Sequence, residues 1–168
     1  ISFILPFADI DAAISAVPKI KLAGLSPQSI EFMERDIVDS SANYTGNKII
    51  PTVIDGKEAG AYILVTLDGN DQDEIFQRAE TLAEIGDEIG AYDTLVLSHP
   101  ADKRAVWEAR SAFLTVIEAE TDLIDEMDVV VPVDKIPTFL EYAHEIGDKY
   151  EVRIRSFGHA GDGNLHIY

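Results

Sequence analysis

Apolar and polar positions along the chain fall into short blocks, and the spacing within each block predicts its element. Ser2 to Phe7 is an apolar run, interrupted only by Pro6, and reads as a buried strand. From Asp9 to about Leu22, Ile14, Val17 and Ile20 recur near helical spacing, with Pro18 expected to distort or shorten that helix. Ala23 to Pro27 is a turn. Ser29 to Met33 alternates like a strand, and the stretch after it is mixed: polar and turn-rich at 43–48, with a loop or hairpin tip at Ile54-Asp55-Gly56-Lys57. Ala61 to Leu67 is the strongest strand in the chain. Asp68 to Asp71 ends it and caps a helix from Gln72 to Ile89, whose apolar stripe is Ile75, Phe76, Ala79, Leu82, Ala83 and Ile85. Tyr92 to Leu97 is a strand, and Asp102 opens a helix carrying Val106, Trp107, Phe113, Leu114 and Ile117. Asp128 to Val131 is strand-like and stopped by Pro132. Ile136 to Lys149 is a helix, and Glu151 to Phe157 a strand.

Strand-helix-strand occurs at 2–33 and again at 61–97, a repeat of structure rather than of residues. Split β-α-β units of this kind predict an α+β, ferredoxin-like fold, an antiparallel sheet with helices packed on one face. A doubly wound parallel sheet is the competing architecture, but no glycine-rich strand-to-helix turn of the phosphate-binding type is present. The 168 residues are 46% hydrophobic, enough for a core, so disorder as the main state is excluded. A net charge of −18 repels nucleic-acid backbones and anionic lipid surfaces. Without cysteine there is no disulfide, thiolate nucleophile or cysteine-bound metal. No apolar run is long enough to span a membrane, and a cytoplasmic location is the expectation. Both ends, Ile1-Ser2-Phe3 and Leu165-His166-Ile167-Tyr168, read as strands, so a piece of a longer protein, truncated at both ends, is expected.

One segment carries candidate chemistry: Gly158-His159-Ala160-Gly161-Asp162-Gly163-Asn164-Leu165-His166. Asp-Gly between strand-like runs predicts a two-residue hairpin turn at Asp162-Gly163. That register sets Gly161 opposite Asn164, Ala160 opposite Leu165 and His159 opposite His166. Direct cross-strand partners have Cβ atoms about 4.5–5.5 Å apart on one face, which suits two imidazoles sharing a metal ion. Two histidines do not complete a metal site, and a glycine-rich hairpin with two incidental histidines is an equally open reading. Trp107 and Arg110 share a helix face, and an arginine suits bidentate carboxylate recognition. Surface pairing of Arg110 with Glu118 or another acid is its alternative. His99 and His144 read as element-end and helix-face residues. Arg153 and Arg155 alternate on a strand, where they would complement the acid load or face a bound anion.

The string Gly158 to His166 resembles the His-x-Gly-Asp-Gly-Asn-x-His motif of the C-terminal domain of FAD-linked oxidases, the group of the glycolate oxidase flavoprotein subunit, D-lactate dehydrogenases and D-2-hydroxyglutarate dehydrogenase. Three further stretches are similar to that domain: Asp128-Val-Val-Val-Pro-Val-Asp-Lys-Ile-Pro137, the Trp-x-x-Arg of Trp107 to Arg110, and Ala23 to Pro27 followed by Glu31-Phe-Met-Glu-Arg-Asp36. The resemblance covers essentially residues 1–168. It implies the cap and substrate domain of a flavin-dependent 2-hydroxy acid dehydrogenase, with FAD held mainly by an N-terminal domain that is absent here. It further implies His159 and His166 as catalytic residues and ligands of a divalent metal (zinc, manganese or iron), Asn164 beside substrate or metal, and Arg110 on the substrate carboxylate. A glutamate beyond Tyr168 would be the third ligand. The implied partners are a small 2-hydroxy acid, the FAD domain and an electron-transfer protein. Relatives with a substrate-contacting lysine before the 128 strand differ here, where Glu126 and Met127 stand, and a threonine after the arginine is replaced by Leu114, with Thr115 adjacent. Dicarboxylate substrates are thereby disfavoured. A non-enzymatic metal-binding or protein-interaction module of the same fold is the alternative.

Overall fold

The computed structural model describes residues 1–168. In chain order the elements are β1 (Ser2–Phe7), α1 (Ile10–Leu22), β2 (Ser29–Glu34), α2 (Arg35–Thr45), β3 (Val53–Ile54), β4 (Lys57–Glu58), β5 (Ala61–Thr66), α3 (Gln72–Glu88), β6 (Leu95–Leu97), α4 (Pro100–Ser111), α5 (Phe113–Glu120), β7 (Met127–Val130), α6 (Ile136–Tyr150), β8 (Ser156–His159) and β9 (Asn164–Ile167). Seven strands form one sheet in the order β6-β1-β5-β2-β8-β9-β7, and β3 and β4 make a separate hairpin around Asp55-Gly56. Every pairing is antiparallel, so the parallel alternative is set aside. β5 lies between β1 and β2, and β1 lies between β5 and β6. Two split β-α-β units therefore interlock, as the α+β, ferredoxin-like expectation requires. β8, β9 and β7 extend that sheet past β2.

Strand residues alternate between two cores. Phe3, Leu5, Phe32, Ile63 and Val65 pack under α1, α3 and α6, the helix layer that the sequence predicts. Ile4, Met33, Tyr62, Leu64 and Phe157 point the other way, into a second core with Ile37 of α2, Val106 and Ala109 of α4, and Phe113 and Val116 of α5. Helices on one face is thus an incomplete description, because the second face is covered as well. The near-unbroken burial of β1 and β5 has its cause here: central strands with helices on both sides have no solvent face.

Local differences from the sequence reading have local causes. α1 runs through Pro18 to Leu22, because Pro18 lies on the exposed side while Ala13, Ile14, Val17 and Ile20 hold the buried one. α2 forms from Arg-Asp-Ile-Val-Asp-Ser-Ser-Ala-Asn-Tyr-Thr, a poor helix by propensity. Burial of Ile37 and Val38, and the Ser41 hydroxyl donating to the Ala109 carbonyl at 3.0 Å, override it. The 102–119 helix is two helices, parted at Ala112. Arg153 and Arg155 precede β8 instead of lying in it. Both pair with Asp36 and Glu120, which ties α2 and α5 to the start of β8. Burial opposes ionisation of Asp36, but the two arginines hold its carboxyl below the usual carboxylate range.

On the α6 side, the buried Glu34 accepts from Ser156 Oγ and lies 3.0 Å from His144 Nε2. The hydrogen bond with Glu34 raises the His144 pKa above its ordinary value, against desolvation. A pKa raised by folding contributes stability that is fully present below the unfolded value of 6.5 and is lost as pH rises through the folded value. Denaturant titrations across this window should show stability falling with pH. The slope should be shallow, since the His144 side chain is 36% exposed. An identical slope in His144→Ala would contradict the assignment.

Candidate functional site

β2, β8 and β9 present alternate side chains to the α4–α5 side of the sheet. Ile30 and Phe32 belong to the core under α1, so Glu31 between them must face α4. By the same alternation Phe157 and His159 of β8 face that side.

The hairpin closes differently from the two-residue expectation. The observed pairs are Phe157 with His166, Gly158 with Leu165 and His159 with Asn164, a register two residues away from the one predicted. Ala160 is buried in the α1-side core, and the Gly161 N–H donates to the Ile30 carbonyl at 3.2 Å, so these residues leave the ladder. The His159 carbonyl closes the loop by accepting from Asp162 and Gly163 N–H, both at 3.1 Å. His159 and His166 are therefore not directly opposite. A shift of two preserves the face, however, and the two imidazoles meet edge to face with centroids 5.8 Å apart.

Around them the site has two halves. In the first, Glu31 is almost fully buried and divides its carboxylate: Oε2 accepts from Arg110 Nη2 at 3.1 Å, and Oε1 lies 2.8 Å from His159 Nδ1. The Arg110 guanidinium lies over Phe157, 4.5 Å from the ring centroid, and over Phe113 at 5.5 Å. Burial lowers the Arg110 pKa from its ordinary value, while Glu31 acts to raise it. Arg110 is thus drawn into the sheet by a sheet carboxylate; the pairing with Glu118 is not formed.

In the second half, Asp128 pairs with His166 across β7 and β9, and the Asn164 amide donates to Asp128 Oδ1 at 2.7 Å. Tyr168 stacks on Phe157 and donates its hydroxyl to Glu126 at 2.6 Å. Burial and that acceptor push the phenol pKa up. His166 Nδ1 is buried without a hydrogen-bond partner, 3.6 Å from Glu126 and 3.9 Å from Asp128. Arg110 Nε is likewise unpaired. Ser29 Oγ, Tyr62 OH and Thr94 Oγ1 are unpaired elsewhere in the chain, but Arg110 Nε and His166 Nδ1 are the two that lie among the candidate side chains, and each such atom costs roughly 1–3 kcal/mol. Beside His159 an opening of about 340 Å³ is lined by Lys21, Gln28, Ser29, Glu31 and Asp162.

The fold thus gathers all four predicted residues, His159, His166, Arg110 and Asn164, into one site. His144 lies on the opposite side of the sheet, and His99 precedes α4. Glu31 and Tyr168 are members of the site that residue-type reasoning did not single out. The signal for Glu31 was a lone acid between apolar strand residues.

For a divalent cation the donors at hand are two imidazoles on one face, one of them with a buried unpaired nitrogen. No group of three or more histidine, aspartate or glutamate side chains converges as a metal site. For FAD, a diphosphate cradle places glycines before a helix N-terminus. The positive-φ glycines here instead follow helices, as Gly24, Gly46 and Gly90 do, or lie in hairpins, as Gly56 and Gly163 do. No helix is long and apolar enough to cross a membrane.

Comparison with known proteins gives a consistent picture. The family described as FAD linked oxidases, C-terminal domain, matches residues 2–168. The D-lactate dehydrogenase of Anaerostipes hadrus is 44% identical over 168 residues, all of this chain and 35% of that protein. The glycolate oxidase subunit GlcD of Bacillus subtilis is 29% identical over 163 residues, 95% of this chain and 33% of that protein. Among solved structures, an alkyldihydroxyacetonephosphate synthase shares the fold at a TM-score of 0.62 and 12% identity, covering 99% of this chain and 34% of that one. The chain spans about a third of the length of the proteins it matches.

Proposed function

Because the chain belongs to the family of FAD-linked oxidase C-terminal domains, we propose that it forms the substrate and cap side of a flavin-dependent 2-hydroxy acid dehydrogenase of D-lactate or glycolate type. The observation that carries this reading is the juxtaposition of Arg110 and His159 on the two oxygens of Glu31, with His166 and Asn164 beside them. A 2-hydroxy acid has a carboxylate and, one carbon away, a hydroxyl. Recognising it takes a guanidinium next to an imidazole.

Oxidation to the 2-keto acid removes the hydroxyl proton and the C2 hydrogen with its electron pair. FAD, carried by the rest of the polypeptide, supplies the acceptor for that hydride. Arg110 binds the carboxylate, its unpaired Nε–H being a donor that such a ligand satisfies, and thereby orients C2. His159 donates Nδ1–H to Glu31, which leaves the Nε2 lone pair for the hydroxyl. That lone pair takes the hydroxyl proton; were it occupied by a cation instead, the proton would pass to solvent. A divalent cation held by His159 and His166 would polarise the hydroxyl as a Lewis acid. Asn164, whose amide nitrogen is held by Asp128, keeps its amide oxygen as a further acceptor beside the histidines. Glu126 adds negative charge near His166, which favours monocarboxylates over dicarboxylates.

Full-length protein mixed anaerobically with D-lactate or glycolate should lose its flavin absorbance. Arg110→Ala should raise KM by about 10–100-fold, the worth of one or two charged hydrogen bonds. A fall in kcat as well would show that Arg110 also positions C2. Flavin that stays oxidised with every small 2-hydroxy acid tried would overturn the proposal.

A further inference from the structure

We infer that Glu31 is a positioning residue that sets the distance between the carboxylate-binding guanidinium and the imidazole, and that its charge deliberately loosens substrate binding. The inference rests on the reading of Arg110 as the carboxylate anchor. Glu31 lies on β2, the central strand of the seven, and is fixed on both sides by the β5 and β8 ladders. Its side chain is 3% exposed. A carboxylate buried to that degree is costly unless paired, and the pairing here is unusual in form. One oxygen holds Arg110 from α4, the other holds His159 from β8. A plain structural ion pair would spend both oxygens on the guanidinium fork. Here one is spent on an imidazole whose own side chain is 52% exposed and so keeps an open edge.

Two consequences follow from this bridge. Arg110 lies over the Phe157 and Phe113 rings, contacts that carry no direction along the ring face, and its bond to Glu31 is the directional one. The same carboxylate holds the His159 ring by Nδ1, so both groups that touch a 2-hydroxy acid share one rigid support. Electrostatically, Glu31 offsets the charge of Arg110. An arriving carboxylate therefore meets a neutralised pair and is bound less tightly than by a free guanidinium, which keeps the ground state shallow.

The test uses full-length enzyme carrying Glu31→Gln, which keeps the shape and removes the charge, and Glu31→Asp, which keeps the charge and shortens the reach. Oxalate serves as a non-reacting carboxylate probe, its Kd read by calorimetry. Glu31→Gln should bind oxalate about three- to tenfold more tightly and lower KM for D-lactate, while kcat falls at least about tenfold. Glu31→Asp should leave oxalate affinity near that of the parent and lose kcat. A rise in KM and oxalate Kd together with a fall in kcat in Glu31→Gln is the behaviour of a merely structural ion pair and would overturn the inference. If Arg110→Ala leaves oxalate binding unchanged, the anchor reading itself fails. If Arg110→Ala weakens oxalate binding and Glu31→Gln has no effect, only the role given to Glu31 fails.

Discussion

Turnover in the full-length protein should fall by about 10³-fold or more in His166→Ala, with flavin content and thermal stability close to those of the parent. The argument starts from the unpaired nitrogen. His166 Nδ1 has no hydrogen-bond partner, and its nearest carboxylates stand 3.6 and 3.9 Å away. Deleting the ring therefore breaks no buried hydrogen bond at that atom. What is lost is contact with Phe157, at 5.6 Å between centroids, and with His159. A residue that gives so little to the fold, yet keeps a buried polar atom unsatisfied, is expected to serve a ligand. Flavin should stay because the glycine turns of this chain are not those of a diphosphate cradle. His159→Ala should lose as much activity. It should cost more stability, because it strands one oxygen of the buried Glu31. Dye-linked assays, flavin absorbance and thermal melts read the three quantities. If His166→Ala retained a tenth or more of the activity, also after chelation, the histidine pair would be structural.

Much of the fold was legible because its strands are extreme. Ala61 to Thr66 is a central strand with both faces covered, and an apolar run of that length between turn residues has few other uses. The interlocked β-α-β units followed from element order alone. α2 was not legible, since its residues favour caps and turns and its helical state comes from contacts with α4 and α5 that no local window contains. The same holds for the second helix layer. Val106, Ala109, Phe113 and Val116 show that α4 and α5 bury a face, but not which side of the sheet receives it.

The side chains that the fold brings together at the candidate site were singled out by type, and their register was not legible. Asp-Gly is the strongest short hairpin signal, and it led to His159 opposite His166. The chain instead closes its loop at the His159 carbonyl, because Ala160 is worth burying and Gly161 N–H finds the Ile30 carbonyl. Those are tertiary facts. That the imidazoles nevertheless meet follows from the strand period of two, under which an even shift keeps the face. Glu31 needed knowledge that β2 and β8 are neighbours, which the spacing of 128 residues between Glu31 and His159 hides.

The glycines of the hairpin should respond to alanine in sharply different ways, and the order tests the geometry of the site directly. At Gly158 a Cβ would stand 2.3 Å from the Asn164 carbonyl oxygen and 2.8 Å from Leu165 Cα, both backbone atoms. Neither can yield without parting β8 from β9. Gly163 has φ +83°, and its Cβ would stand 2.2 Å from the Val131 carbonyl oxygen. The Gly163 carbonyl accepts from the Val131 N–H at 2.9 Å, so the hairpin tip is held against the end of β7 by this close approach. Gly163→Ala therefore adds a left-handed strain of about 1–2 kcal/mol to a backbone clash. Gly161 is different: its φ is not positive, and the nearest atom to an added Cβ is Ile30 Cβ at 3.5 Å, an ordinary contact. Gly158→Ala and Gly163→Ala should each cost at least about 2–4 kcal/mol of stability and most of the activity, as clashes with fixed backbone do. Gly161→Ala should stay within about 1 kcal/mol of the parent and keep its KM. Thermal and denaturant unfolding of the three full-length variants, with dye-linked turnover alongside, measures both effects. Equal losses at Gly161 and Gly163 would mean that the loop is not closed at His159 as described, and the placement of the two imidazoles would fall with it.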